Sequence, residues 1–164
     1  DQHADIPCLI TGGWYDPFVD DYSKQFTHLS SQNQSPQRLI IGPWNHMTMR
    51  GEGSTNTGQV DFGPDAKWGD QTYNTQRLRW FDRWLKDFRT NVEEDAPVRI
   101  FVMGGGSGQV TTKGQIQHGG KWRGVDLRRP HCSGASLFPG LGLYGSEPHL
   151  LRRNLPSELC CRPL

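Results

Sequence analysis

At 164 residues, the chain is long enough to hold one domain with a hydrophobic core, or parts of two domains. A mean hydropathy of −0.70 and 21% charged residues are typical of a soluble globular protein, and no apolar run approaches the roughly 20 residues that cross a bilayer. The net charge is +1 and basic residues alternate with acidic ones, so the composition indicates neither a nucleic acid nor a membrane as partner.

The first five residues contain no Met and have neither the basic nor the apolar region of a signal peptide. They lead directly into a segment with the pattern of a strand. We therefore expect the chain to begin inside a longer protein.

Residues 6–89 alternate between strand and helix patterns. Residues 6–11 form a short apolar run stopped by two glycines, as in a buried parallel strand. Apolar residues then recur at helical spacing, at Val19, Tyr22, Phe26 and Leu29. Asp16 and Pro17 are favourable at the start of this helix, with Asp16 as cap. A second buried strand at residues 38–42 completes a predicted β-α-β unit.

Residues 46–69 are rich in glycine and polar side chains and predict a functional loop at the surface. Asp70 or Thr72 is the predicted cap of a helix that continues through Phe88.

This second helix has an apolar stripe made of Leu78, Phe81, Leu85 and Phe88. Asp82 and Lys86 form a favourable pair four residues apart. Trp80 and Trp84 lie beside the stripe, and we expect them to pack against the sheet or a neighbouring domain.

From residue 93 the pattern changes to strands and glycine turns without helices. An acidic segment at residues 93–97 precedes a clear strand at residues 98–103, and a shorter strand is predicted near residues 119–123. Such a pattern indicates an all-β module.

Residues 128–164 differ abruptly from the rest. They contain no Val, Ile, Thr, Lys, Asp or Trp, but eight Leu, five Pro and three of the four Cys. Since β domains depend on β-branched residues, we expect either a shifted reading frame or a divergent native tail. Translation of the DNA in the other two frames distinguishes these alternatives, and the frameshift is excluded if neither yields a β-rich continuation.

Asp16 and His46 each follow a predicted buried strand by a few residues, and both strands belong to one β-α-β unit. The carboxyl ends of parallel strands share one edge of the sheet, so the two side chains are expected within reach of each other. A carboxylate that accepts the Nδ1–H of an imidazole leaves Nε2 to act as a base. Two simpler interpretations stay open: Asp16 as a helix cap only, and His46 as a loop residue bonded to the backbone.

The segments around these residues are distinctive. They are Gly-Gly-Trp-Tyr-Asp-Pro-Phe at residues 12–18 and Gly-Pro-Trp-Asn-His at residues 42–46. They resemble the two late active-site motifs of the X-Pro dipeptidyl-peptidase/cocaine esterase superfamily, the CocE/NonD hydrolases. The resemblance spans roughly residues 4–126 and continues through segments at residues 60–63, 78–86, 98–104 and 118–123.

This resemblance implies an α/β fold: the C-terminal part of an α/β-hydrolase domain, followed by the start of a β jelly-roll domain. The implied boundaries are residues 1–92 for the hydrolase part, 93–127 for the start of the jelly roll, and 128–164 for the atypical tail, which is frame-shifted or disordered. It also implies that Asp16 and His46 are two members of a Ser-His-Asp triad, which cleaves ester or amide bonds in small molecules or X-Pro peptides.

The Ser of the implied triad is expected before Asp16, in a G-x-S-x-G turn. No such pentapeptide occurs, because Gly-Gly-Ser-Gly-Gln at residues 105–109 lacks the last glycine and follows the His. We therefore expect the 164 residues alone to be inactive. Trp14, Tyr15 and Trp44 are candidates to line the substrate pocket, although core packing suits each equally well.

A binding module and a metal-dependent hydrolase are the two alternatives to a serine hydrolase. A jelly-roll module that binds a carbohydrate or another ligand is the main alternative, although a β domain this short cannot bury its sheet. Metal-assisted hydrolysis is disfavoured because the six His show no H-x-x-x-H spacing, so neither a metal nor another cofactor is expected.

Overall fold

The computed structural model describes residues 4–48 and 52–125. The helices in this part of the chain are α1 (Val19–Gln32) and α2 (Asp70–Lys86), with short 3-10 helices at Pro64–Ala66 and Val92–Glu94. The strands are β1 (Cys8–Gly13), β2 (Gln37–Gly42), β3 (Asn56–Thr57), β4 (Val60–Asp61), β5 (Val98–Met103), β6 (Ile116–Gln117) and β7 (Gly120–Val125). The architecture is mixed α/β, as the sequence predicts.

The larger sheet has the strand order β1-β2-β5-β7. Strands β1 and β2 are parallel along their whole length, and Gly13 lies opposite Gly42 at their carboxyl ends. Strand β5 is parallel to β2, and β7 is antiparallel to β5. The predicted β-α-β unit is therefore confirmed, and β1 and β2 end at the same edge of the sheet.

Strand β2 is buried along its whole length. On one of its faces lies a cluster whose buried members are Phe26, Leu39, Ile41 and Val98. On the other face, Ile40 packs with Trp44 and Trp68. Because successive residues of a strand point to opposite faces, this continuous apolar run contributes to a core on both sides of the sheet.

The segment predicted as a surface loop, residues 46–69, is only partly a surface loop. It contains β3, β4 and a 3-10 helix, and three of its side chains are buried: Phe62, Ala66 and Trp68. The ring of Trp68 lies 5.0 Å from that of Trp44 and 6.0 Å from that of Trp122. Aromatic packing against the sheet thus compensates for the small amount of regular structure in this segment.

The helix α1 begins at Val19, one turn after the predicted cap at Asp16. The turn before the helix is closed by Asp16, whose backbone carbonyl accepts the amide of Val19 at 3.1 Å. The helix α2 begins at Asp70, after Gly69, and ends at Lys86 rather than at Phe88. The expected ion pair between Lys86 and Asp82 is present at 2.7 Å.

The apolar stripe of α2 is exposed in the described part of the chain. The exposed fraction is 58% at Leu78, 45% at Phe81, 76% at Leu85 and 56% at Phe88. Trp80, which lies beside the stripe, is instead buried, with 4% exposure. Beside Trp80, Arg79 of α2 pairs with Asp95 in the segment that follows the helix.

Two strands of residues 93–127, β5 and β7, extend the sheet of β1 and β2, since Leu39 of β2 pairs with Val98 of β5. This arrangement gives β2 a hydrogen-bonding partner on both sides. Strand β6 instead joins β3 and β4 in a separate three-stranded sheet. Strands β5 and β7 are thus part of the first sheet, and the assignment of residues 93–127 to a jelly roll stays a prediction. The atypical tail, residues 128–164, lies outside the described residues.

Neither described helix is long and apolar enough to cross a membrane. Within residues 4–48 and 52–125, no group of three or more His, Cys, Asp or Glu side chains could hold a metal ion.

Candidate active site

Asp16 and His46 meet beyond the carboxyl ends of β1 and β2. The Nδ1 atom of His46 lies 3.0 Å from Oδ2 of Asp16. The Asp16 side chain is completely buried, whereas the His46 side chain is 54% exposed. The structure therefore joins a buried carboxylate to an imidazole that solvent can reach.

Backbone hydrogen bonds beyond the strand ends bring the two loops together. The amide of Trp14 donates to the carbonyl of Gly42 at 2.8 Å, and the amide of Tyr15 donates to that of Trp44 at 3.2 Å. A Cβ atom at Gly13 would lie 1.9 Å from the carbonyl oxygen of Trp44, so only glycine permits this close approach. The glycines that end the strands thus allow the two catalytic candidates to meet.

The buried Asp16 carboxylate has three hydrogen-bonding partners. Its Oδ1 accepts the amide of Phe18 at 3.0 Å, and its Oδ2 accepts the hydroxyl of Tyr22 at 3.1 Å and faces Nδ1 of His46. A buried carboxylate is costly unless such donors compensate for the lost water. Because a carboxylate can only accept, the neutral imidazole must carry its proton on Nδ1, and Nε2 is then the basic nitrogen.

The titration of Tyr22 is strongly affected by this environment. Burial raises the pKa of Tyr22 from 10.0 to about 12, with further contributions from its hydrogen bond to Asp16 and from the charges of Asp16 and Asp21. The hydroxyl therefore stays protonated and continues to donate to Asp16 at neutral pH.

The loop that carries His46 is fixed by a compact turn. The side-chain oxygen of Asn45 accepts the amides of Met47 and Thr48, at 2.9 and 3.0 Å. In return the Thr48 hydroxyl accepts the amide of Asn45 at 3.0 Å. The ring of Phe18 meets the His46 ring edge to face, with 5.7 Å between centroids. The imidazole is thus held by its loop, by Asp16 and by Phe18.

The three predicted pocket residues have different environments. Trp44 is 2% exposed and belongs to the core. Trp14 is half-buried, and its indole Nε1 donates to the carbonyl of Phe101 at 2.8 Å. Tyr15 is 46% exposed and its ring lies 5.9 Å from that of Phe62. Of these three, Tyr15 has the most accessible side chain beside the Asp16–His46 pair.

Three contributors to the site were missed in the sequence: Phe18, Tyr22 and Asn45. The sequence pattern predicts Tyr22 only as an apolar position of the helix, because its spacing matches that of Phe26. The sequence does contain one indication of this role. Tyr22 lies on the first turns of the helix that follows Asp16, where its hydroxyl can reach back to the end of β1. Asn45, directly before the His in a short loop, is a residue type that commonly caps turns.

A carboxylate followed by a histidine, at the ends of adjacent parallel strands, matches the order and placement of the last two triad residues in α/β-hydrolases. Comparison with known proteins agrees with this class. Residues 1–48 match the sequence profile described as X-Pro dipeptidyl-peptidase (S15 family). The chain is also 34% identical, over 98 residues, to the cocaine esterase of Rhodococcus sp. (strain MB1 Bresler).

The match to the cocaine esterase covers 60% of this chain but only 16% of the esterase. The two matches agree with each other: both are similarities to the X-Pro dipeptidyl-peptidase/cocaine esterase superfamily, the CocE/NonD hydrolases.

Proposed function

We propose that this chain supplies the Asp and the His of a serine hydrolase that cleaves ester or amide bonds. The substrates are small-molecule esters, amides or X-Pro peptides. The proposal rests mainly on one observation, the 3.0 Å contact between Nδ1 of exposed His46 and Oδ2 of buried Asp16. The family matches support the same reaction class.

In the proposed mechanism, Nε2 of His46 takes the proton of the serine hydroxyl as that oxygen attacks the substrate carbonyl. The protonated His46 then gives this proton to the leaving alcohol or amine. Water attacks the acyl-enzyme in the second half of the reaction, and His46 again acts first as base and then as acid. Asp16 keeps the Nδ1 proton in place and stabilises the imidazolium.

The serine nucleophile is proposed to lie outside these 164 residues, since the sequence has no G-x-S-x-G segment. The oxyanion hole is assigned to the same missing part, because one of its donors is normally the amide after the nucleophile. The 164-residue chain is accordingly proposed to be inactive by itself.

We prefer the hydrolase to a jelly-roll binding module for a structural reason. Strands β5 and β7 continue the sheet whose edge carries Asp16 and His46. A separate binding module would require these strands to form a sheet of their own.

The proposal is tested with a fluorophosphonate probe on the longer protein that contains this chain. The probe should label a serine outside the 164 residues. His46→Ala should lower kcat/KM for an ester substrate by at least about 10³-fold. His28→Ala, an exposed position on α1, serves as the control and should leave kcat/KM unchanged. Labelling of the 164-residue chain itself, or full activity of the His46 variant, would contradict the proposal.

A further inference from the structure

We propose that Tyr22 is a positioning residue for the Asp16–His46 pair. Its hydroxyl holds the Asp16 carboxylate in the orientation that directs Oδ2 towards Nδ1 of His46. This inference rests on the proposed function, because it assigns Tyr22 a part in the same site.

The argument begins with the two oxygens of the carboxylate. The amide of Phe18 binds Oδ1, which restrains rotation of the carboxylate about its Cβ–Cγ bond through one oxygen only. The Tyr22 hydroxyl binds the other oxygen, Oδ2, at 3.1 Å, and so opposes that rotation. With both oxygens bound, Oδ2 stays 3.0 Å from the imidazole.

The Tyr22 ring is itself held in place by the strand that leads to Asp16. It lies against Gly12 of β1, where an added Cβ atom would be 2.1 Å from Cδ2 and 2.2 Å from Cε2 of the ring. Tyr22 also packs against the buried cluster that includes Phe26 and Leu39. The hydroxyl is therefore fixed relative to β1 by a contact that requires glycine at position 12.

The protonation state of Tyr22 suits this role. Because its pKa is raised to about 12, the phenol remains a hydrogen-bond donor throughout the neutral range. Asp16 and Asp21 are the charged groups that act on it, and both raise this pKa. A phenolate, in contrast, would repel the buried carboxylate.

Tyr22 could instead be only a core residue whose hydroxyl happens to reach a carboxylate. The two roles differ in what they do to His46. A purely structural tyrosine affects the free energy of unfolding, whereas a positioning tyrosine also determines which imidazole nitrogen carries the proton. The tautomer of His46 is therefore the decisive measurement.

The experiment measures ring ¹⁵N chemical shifts of His46 in the 164-residue chain, at a pH where the imidazole is neutral. The wild-type ring should be mainly the Nδ1–H tautomer, and Tyr22→Phe should shift it at least about twofold towards Nε2–H. The matched control is Tyr73→Phe, at a half-buried tyrosine that packs with Ile40 and Trp44. An unchanged or larger Nδ1–H fraction in the Tyr22 variant overturns the proposal.

Gly12→Ala provides a second route, because it keeps the phenol but displaces the ring. It should lower the Nδ1–H fraction as well, and adding it to Tyr22→Phe should lower that fraction no further. An independent, additive effect of Gly12→Ala contradicts its action through Tyr22. If Tyr22→Phe fails to fold, Gly12→Ala alone decides between the two outcomes.

Kinetics in the longer protein separate this inference from the proposed function. Tyr22→Phe should lower kcat about tenfold and change KM by less than about twofold. If His46→Ala abolishes hydrolysis but Tyr22→Phe changes neither kcat nor the tautomer, the function stands and the positioning role fails. If the tautomer shifts but His46→Ala leaves hydrolysis intact, the proposed function fails and the Tyr22–Asp16–His46 coupling remains.

Discussion

The ring of Trp44 occupies the space where a side chain at Gly42 would begin. A Cβ atom at Gly42 would lie 2.1 Å from both Cη2 and Cζ3 of the indole. The chain thus turns back over its own strand end, and the buried indole fills the space that glycine leaves. His46 follows two residues later, so this packing fixes the start of the loop that carries it.

We expect Gly42→Ala to destabilise the fold by about 1–3 kcal/mol, because the new methyl group overlaps a buried ring. Denaturant unfolding of the 164-residue chain measures this loss. In a Trp44→Leu background the same substitution should cost much less, since the clashing atoms are gone. If Gly42→Ala lowers the unfolding free energy equally in the wild type and in Trp44→Leu, the overlap with the Trp44 ring is not the cause of the destabilisation.

A second prediction concerns Asp95, which forms ion pairs with both Arg38 and Arg79. The Arg38 side chain is only 7% exposed, and burial lowers its pKa while Asp95 counteracts this effect. Asp95→Asn should therefore cost about 3 kcal/mol or more of unfolding free energy, because it leaves a buried guanidinium without its counterion.

The matched control for Asp95→Asn is Asp82→Asn, which removes the acidic partner of a more exposed pair on α2. That change should cost less than about 1 kcal/mol. Similar losses of unfolding free energy in Asp95→Asn and Asp82→Asn would contradict the role of Asp95 as the counterion of a buried guanidinium.

A third prediction compares the two faces of α2. Trp80→Ala should cost about 3–5 kcal/mol, since this side chain is 4% exposed. Leu85→Gln, at a position that is 76% exposed, should change the unfolding free energy by less than about 0.5 kcal/mol. A large loss from Leu85→Gln in the isolated chain would mean that the stripe is buried after all.

Helix α2 shows which structural features a sequence pattern can predict and which it cannot. Hydrophobic spacing predicted the helix itself and which residues share a face, because both follow from the 3.6-residue period. It did not predict which face is buried. Burial of a helix face depends on tertiary contacts, and contacts such as the pair between Arg79 and Asp95 are encoded by no local pattern.

The candidate site shows the same limit. Asp16 and His46 could be placed together from the sequence, since parallel strands bring their carboxyl ends to one edge. Tyr22 could not be added, because its helical spacing suggested only a core position. Its hydroxyl reaches Asp16 through the packing of the ring on Gly12, a contact between two elements.

A fourth prediction follows from the titration of Tyr22. Its pKa in the fold, about 12, is above its ordinary value of 10.0. The unfolded chain therefore loses the phenol proton first, so the stabilisation is complete below pH 10 and is lost as the pH rises towards 12. The melting temperature should fall more steeply above pH 10 in the wild type than in Tyr22→Phe. Parallel curves for the two proteins would contradict the raised pKa.

The last prediction concerns Asp16→Asn in the proposed longer protein. Asn preserves the shape of the side chain, but its amide nitrogen can donate, so Nδ1 of His46 is no longer required to carry the proton. We expect kcat to fall by about 10⁴-fold, through the wrong imidazole tautomer.

Asp21→Asn is the control, because Asp21 is an exposed carboxylate near the same end of α1. It should leave kcat within about twofold of the wild type, since Asp21 makes no contact with His46 among the described hydrogen bonds and ion pairs. If Asp16→Asn retains most of its activity while His46→Ala has none, the imidazole must be oriented by something other than Asp16.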